Sequence, residues 1–458
     1  MPRTYAVRGL EASNRHPECE GDVVMLNLLS RTKSRDCEGN TRRDFLKVGS
    51  LGLGSFALPD LLRMRSAARA AGQPVKDTSV IWLWLSGGPT HVETFDPKLT
   101  APAEYRSTTG EQTTPLPGVT VGGTFPKIAG VADKMALVRS FAHTNSGHGG
   151  GTHYVMTGYD NRAIDNGGLP TRPSIGSIVS RVRGPNNLNT GIPTYVRIQG
   201  IGSDGPAFLG PAYSPFDPRG KARQNMSLVV DRQRLDDRRA LLKGIDQVKR
   251  EADQSRLMEG LDAFEQQAFN LVLSKSQQAF DLKYEDPRVV ERYGKGLGEQ
   301  LLTARRLCEA GCGFVTLNYG GWDMHGKIEE SLKSRSPQLD QAVAALVEDM
   351  SQRSVDKDIL LVISGEFGRT PKVNNNAGRD HWAPLSTLAM AGGGLQMGQV
   401  VGESAAKVDV PKTAPIRPQD LMATIFHVLD IEPRSQFVNQ AGRPVYMVED
   451  GKPIEELV

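Results

Sequence analysis

The sequence predicts an α/β fold, on three observations. Continuous apolar runs such as Ser79–Leu85 and Ile359–Ile363 stop abruptly in glycine-rich polar turns. Stretches with apolar residues at helical spacing, Glu299–Ala310 and Leu339–Met350, separate the later runs. Acids and imidazoles follow the runs directly. A short apolar run bounded by turn residues reads as a strand buried on both faces, as in parallel sheets. Open α/β sheets place ligands at the carboxyl ends of their strands.

At 458 residues the chain can hold one large α/β domain or two ordinary ones. The 49 glycines and 28 prolines indicate many loops, and a net charge of +3 gives no nucleic-acid footprint. Cys19 and Cys37 fall in the leader, which leaves Cys308 and Cys312, no disulfide framework; the two are expected as small buried residues at a helix-to-strand junction, with a bridge in an oxidising compartment as the alternative.

Residues 1–71 read as a leader. Thr41-Arg42-Arg43-Asp44-Phe45-Leu46-Lys47 matches the twin-arginine export motif, and Val48–Leu58 is an apolar run too short for a stable membrane anchor. Ala68-Arg69-Ala70 with Ala71 offers small residues for cleavage, and Met25 is an alternative start that gives a leader of ordinary length. The expected location is periplasmic or extracellular, with the twin-arginine translocase as a partner during export. That route carries folded proteins, often metal-loaded ones.

From residue 72 to 458 one domain is expected. Ser79–Leu85 is its first central strand, and it delivers Ser86-Gly87-Gly88-Pro89-Thr90-His91, whose glycines let backbone approach a ligand closely. Met135–Val138 is a second short strand. After it come His143, His148 and His153, three of the chain's eight histidines, five residues apart in a glycine-rich loop that can fold them together. Imidazoles so concentrated suit metal ligation, proton transfer or nucleophilic attack. A short helix, Thr152–Thr157, is closed by Gly158. Pro173 and Ser174 open another helix, and the Gly/Pro-rich stretch from 186 to 216 surrounds a strand, Thr194–Ile198. Residues 228–284, charged and almost free of Gly and Pro, read as a helical insertion.

Phe314–Tyr319 is the next strand, and it delivers Asp323 and His325. Two apart on extended backbone, these side chains point the same way and can share a metal. Ile359–Ile363 then delivers Glu366, followed by Asp380-His381 in a polar loop. Asp420 begins a last helix that ends near Leu429, with His427 in a structural place.

Four stretches together, Ser86–His91 with Phe95-Asp96-Pro97-Lys98, Gly321–His325, Gly365–Pro371 and Gly378–Trp382, resemble a bacterial family filed as domain of unknown function 1501. The family is grouped with alkaline phosphatases and sulfatases. The resemblance implies a three-layer α/β/α sandwich with a mostly parallel central sheet and divalent metal (Zn, Ca, Mg or Mn) at its carboxyl edge. On it, Asp323, His325, Glu366 and His381 resemble metal ligands, with His91 and Asp380 as further candidates. His148 stands where sulfatases hold their formylglycine cysteine, and no Cys-x-Pro-x-Arg motif is present. Gly87 and Gly88 replace paired aspartates. The nucleophile stays open among Thr152, Ser146, His148 and a water on the metal. Arg369 or Arg379 can clamp an oxyanion, since a guanidinium matches it with two hydrogen bonds.

These expectations describe a metal-dependent hydrolase of phosphate or sulfate esters, acting on an anionic small-molecule or polysaccharide substrate. The alternative is a non-catalytic binding protein for anionic polysaccharide on the same fold. No dinucleotide, iron–sulfur or haem motif supports a redox enzyme.

Overall fold

The computed structural model describes residues 77–187, 189–219 and 275–458. The twin-arginine motif, the cleavage site, Met25 and the expected insertion up to residue 274 lie outside the described residues. Residues 275–284 form two 3-10 turns, Lys275–Phe280 and Leu282–Tyr284.

Seven strands make one sheet: β1 Ser79–Trp84, β2 Ala136–Val138, β3 Tyr195–Arg197, β4 Phe314–Asn318, β5 Ile359–Ser364, β6 Leu388–Gly392 and β7 Gln399–Val401. Their order is β7-β2-β6-β5-β1-β4-β3. All neighbours pair in parallel except β6, which runs against both β2 and β5. The α/β class with a mostly parallel central sheet is therefore the one the chain adopts. Every residue of β1 and β5 is buried, as the unbroken apolar runs require of strands covered on both faces.

Successive side chains of β1 leave the sheet on opposite sides. Ile81 and Leu83 join a core with Leu301, Leu307, Val343 and Leu346, from helices α3 (Leu297–Glu309) and α4 (Ile328–Gln352). On the other side Trp82 meets Phe314 edge-on and its Nε1–H donates to Ser364 Oγ. Helix α2, Ile175–Arg183, packs there over Tyr195, close enough that a Cβ on Gly176 would strike the ring. Two further helices are α1, His148–Thr157, and α5, Pro418–Val428. No helix among the described residues is long and apolar enough to cross a membrane.

Two helix boundaries differ from expectation. Helix α4 begins eleven residues before Leu339 and runs through Pro337. Proline disfavours a helix interior, but Ile328 and Leu332 are buried in the core, and packing carries the helix past it. Helix α1 begins at His148 rather than Thr152, so Gly149, Gly150 and Gly151 are helical. Glycine is a poor helix former, yet a Cβ on Gly150 would lie 2.5 Å from Asn145 Nδ2 and one on Gly151 3.0 Å from the Glu366 carbonyl. Close packing selects glycine here. Cys308 and Cys312 are free and buried at the turn between α3 and β4.

The glycines after β1 also make room for neighbouring loops. Gly87 has φ +111° and a Cβ there would fall 2.3 Å from the Asp323 amide nitrogen; one on Gly88 would enter the Phe367 ring. These residues let the loops after β4 and β5 pass over β1. Gly87→Ala is expected to cost at least about 1–3 kcal/mol in backbone strain and to displace Asp323. A lowered urea midpoint together with reduced metal uptake would show it.

Candidate metal centre

Two parallel strands, β4 and β5, deliver site residues to one edge. Loop residues after β4 carry Asp323 and His325, and those after β5 carry Glu366. Helix α1 contributes His148. His381 arrives on a two-residue ladder, His381–Trp382 paired with Gly368–Arg369, just before β6. Because β6 is antiparallel, its start lies at the same edge where its neighbours finish.

The side chains converge on Asp323. His325 Nε2 is 3.0 Å and His381 Nε2 3.2 Å from Asp323 Oδ1, His148 Nε2 is 3.5 Å from Oδ2, and the Nε2 atoms of His325 and His381 are 3.1 Å apart. The opposite nitrogen of each ring is held from outside. His325 Nδ1 lies 2.6 Å from Asp380 Oδ1, His148 Nδ1 2.7 Å from Glu366 Oε1, and His381 Nδ1 3.0 Å from the Ser146 carbonyl. An acceptor at Nδ1 places that ring's proton there and turns the Nε2 lone pair inward, the arrangement that outer partners impose on metal-binding histidines. Among the described residues, His148, Asp323 and His381 bring ligand atoms within 4.8 Å of one another, and those two imidazole nitrogens and one carboxylate fit a divalent ion, with His325 Nε2 beside them.

Electrostatics separate the rings. Its hydrogen bond to Glu366 raises His148, whereas burial and then the Arg369 charge lower His381. Burial works to raise the Asp323 carboxyl, but the Arg369 guanidinium outweighs it and holds the acid at about 2. The His325 hydrogen bond lowers Asp380. Asp380 is further steadied by Asn374 Nδ2, 3.3 Å from each carboxylate oxygen. Asp380→Asn is expected to weaken metal binding about 10–100-fold by freeing the His325 ring, which equilibrium dialysis against zinc would measure.

Other expected site residues lie elsewhere or have other tasks. His91 is buried, with Nε2 on the Val408 carbonyl at 2.9 Å, beside Val92 and Leu385 rather than among the metal-centre side chains. Its burial and its bond to Val408 remove His91 from the ligand set. Asp380 and Glu366 use their oxygens on imidazole Nδ1 atoms and so orient ligands. Glu366 Oε1 also accepts from the Gly87 amide at 2.8 Å, while its Oε2 is buried without a partner. Of the three spaced histidines only His148 reaches the centre. His143, pushed down to about 4 chiefly by burial, is enclosed before α1. His153 sits 2.8 Å from the Tyr159 carbonyl, because five helical residues turn it away from His148.

Neither arginine is a free clamp. Arg369 is fully buried and donates to the Gly87 and Gly88 carbonyls and to Asp323 Oδ1, with Nη1 3.5 Å from His325 Nε2. Arg379 pairs with Glu93, and both side chains are fully buried. Thr152 Oγ1 donates to the His148 carbonyl at 2.6 Å, and Ser146 Oγ accepts from the Ala383 amide at 3.1 Å. Glu93 and Phe367 escaped the sequence reading. Phe367 packs against His381 and His148 with ring centroids 4.5 and 5.1 Å away, and its place directly after Glu366 was the available signal.

Beside His148 lies an open cavity of about 480 Å³ bordered by Glu366, Thr152, Asn318 and Ser86.

The fold and site define an α/β protein with three histidines gathered around one aspartate at the carboxyl edge of its sheet. The chain belongs to the family described as "Protein of unknown function (DUF1501)", whose model matches residues 77–458. No curated protein matches it. Similar solved structures include the PsFucS1 sulfatase from Pseudoalteromonas sp., at 12% identity over 82% of this chain and 72% of that one, with a TM-score of 0.36. The phosphonate monoester hydrolase SpPMH from Silicibacter pomeroyi is 11% identical over 82% and 76%, with a TM-score of 0.39. A TAB5 alkaline phosphatase mutant with Mg bound is 11% identical over 78% and 100%, with a TM-score of 0.34. Likeness at this level assigns no activity to the chain.

Proposed function

We propose that the protein is an exported, metal-dependent hydrolase of phosphate or sulfate esters, of the alkaline phosphatase and sulfatase kind. One observation carries this reading: three imidazoles, each held at Nδ1 from outside, turn Nε2 toward one aspartate beside an open cavity. His148, His325, His381 and Asp323 are the proposed ligands. The nitrogen-rich set suits zinc or another imidazole-binding ion and disfavours calcium and magnesium, which take oxygen ligands. Such an ion, when bound, supplies Lewis-acid polarisation of an ester oxygen.

The chain's own residues fix the rest. Glu366 and Asp380 hold two ring protons on Nδ1, and Arg369 keeps Asp323 ionised. Thr152 gives its hydroxyl proton to the His148 carbonyl, Ser146 Oγ accepts from the Ala383 amide, and both nitrogens of His148 are engaged; water is the proposed nucleophile. Arg369 and Arg379 are both occupied by carboxylates and carbonyls, so neither guanidinium is free to clamp an anionic group. The twin-arginine leader supports export by that translocase to the periplasm or beyond.

The test is metal analysis of the purified mature protein with assays on an aryl phosphate, a phosphodiester and an aryl sulfate. Bound metal near one equivalent and turnover of at least one ester are expected. Metal-free protein that is inert toward all three sinks the reading.

A further inference from the structure

His91 and the Phe95–Lys98 stretch lie outside the metal centre, and the structure gives them a different task. Both hold one strap. Residues 403 to 412 leave β7 and turn back on themselves. The Lys412 amide donates to the Glu403 carbonyl at 2.7 Å, the Ala405 amide to the Val410 carbonyl at 2.8 Å and the Val408 amide to the Ala405 carbonyl at 2.9 Å. At the start of the strap Lys98 Nζ donates to Ser404 Oγ at 2.8 Å, and Ser404 Oγ in turn donates to the buried Asp96 carboxylate. At its tip the Val408 carbonyl accepts from His91 Nε2 at 2.9 Å, and the Val408 side chain is buried with Val92 and Leu385. Val408 has φ +53°. A β-branched residue in the left-handed region is strained, and such a conformation persists only where its surroundings impose it.

What the strap holds in turn is the two-residue ladder that carries His381. Trp382 Nε1 donates to the Asp409 carbonyl at 2.6 Å, and the Trp382 side chain packs against the cluster of Val92, Leu385 and Val408. Across the ladder Trp382 pairs with Gly368. Gly368 lies on His91: a Cβ there would fall 2.7 Å from His91 Nδ1 and 2.1 Å from the Leu385 carbonyl. One strand of the ladder therefore rests on the strap and the other on the histidine that anchors it. Two residue pairs are too few to fix a ladder unaided, since even an isolated hairpin is marginal in water. A ligand presented from such a ladder depends on what holds the ladder in place.

We infer that His91 is a positioning residue for the metal centre: with the strap and Trp382 it sets the ladder, and thereby the direction in which His381 presents Nε2. This role takes His381 to be a ligand, and so rests on the proposed metal centre.

Zinc affinity, measured by competition with a chromophoric chelator, tests it together with the visible spectrum of the cobalt-loaded protein, which reports ligand geometry. Trp382→Phe removes one proton donor from a half-buried ring, and His91→Leu removes the anchor of the strap. Each is expected to weaken zinc binding about 2–10-fold, the effect of one hydrogen bond, and to alter the cobalt spectrum. His91→Gln keeps a donor toward the Val408 carbonyl and is expected to recover most of the loss. Ile178→Val, buried in α2, is expected to lower the urea midpoint with both metal readouts as in the parent, which separates positioning from a general loss of stability. Parent-like affinity in Trp382→Phe overturns the inference. So does parent-like affinity in a folded His91→Leu, or an equal loss in Ile178→Val. If His91→Leu does not fold, Lys98→Met, at the other anchor of the strap, decides in its place by the same readouts. A parent that binds neither ion removes the metal centre itself, whereas a parent that binds and variants that match it remove only the positioning role.

Discussion

Asp323→Ala is expected to strip the centre of its divalent ion and to reduce ester hydrolysis to background. Asp323 is the point on which three Nε2 atoms converge at 3.0 to 3.5 Å, and even the loss of an outer partner costs about 10–100-fold in metal affinity. Removing the central carboxylate should exceed that range. The residue has a second task, as counter-ion to the buried Arg369. Metal separates the two. In the parent protein, zinc at 100 times its dissociation constant is expected to add about 2.7 kcal/mol of stability, whereas Asp323→Ala should show no such gain at the same concentration. A variant that stays metal-replete and active would reduce Asp323 to a partner of Arg369 and remove it from the ligand set.

Breaking the Glu93–Arg379 pair is the second large effect. Both side chains are fully buried. Glu93 Oε1 accepts from Arg379 Nη2 at 2.8 Å and Nε at 3.2 Å, and Oε2 accepts from Thr90 Oγ1 at 2.5 Å. The remaining guanidinium protons go to the carbonyls of Thr370, Pro371 and Arg106. Glu93→Ala leaves an uncompensated buried cation and is expected to cost about 3–5 kcal/mol, read as a lowered denaturant midpoint. Arg379 directly precedes Asp380 and His381, so metal uptake should fall as well. The double variant Glu93→Leu with Arg379→Met is expected to recover much of the stability, since two apolar groups leave no orphaned charge. An unchanged midpoint in Glu93→Ala would show that the pair contributes nothing.

The contrast between these two residues explains what the sequence could reveal. Asp323 and His325 were legible because their spacing on extended backbone fixes their relative direction, and Ile359–Ile363 announced Glu366 because a five-residue apolar run stopped by glycine is too short for a helix and reads as a buried strand. Which hydrogen bond each polar group satisfies was not legible. Arg379 and Glu93 are 286 residues apart, and nothing local distinguishes a buried arginine that needs a counter-ion from one poised for an anion. The position of His91 was misleading for the same reason: a histidine after a strand meets the site only if the following turn faces it. The start of α1 was hidden because three glycines argue against a helix unless the packing against Asn145 and Glu366 is known.

The place of β1 has a consequence for how the protein comes to exist. It is central, yet its partners β4 and β5 are encoded far downstream, and Trp82 bonds to Ser364 across 282 residues. During synthesis this apolar strand emerges early and must wait, unpaired, until most of the chain has been made. Non-local parallel pairing of this kind folds slowly and leaves strand edges exposed to aggregation. The histidines and Asp323 are brought together only by that late pairing, so the nascent chain has no preformed seat for an ion. Metal capture should therefore coincide with completion of the sheet.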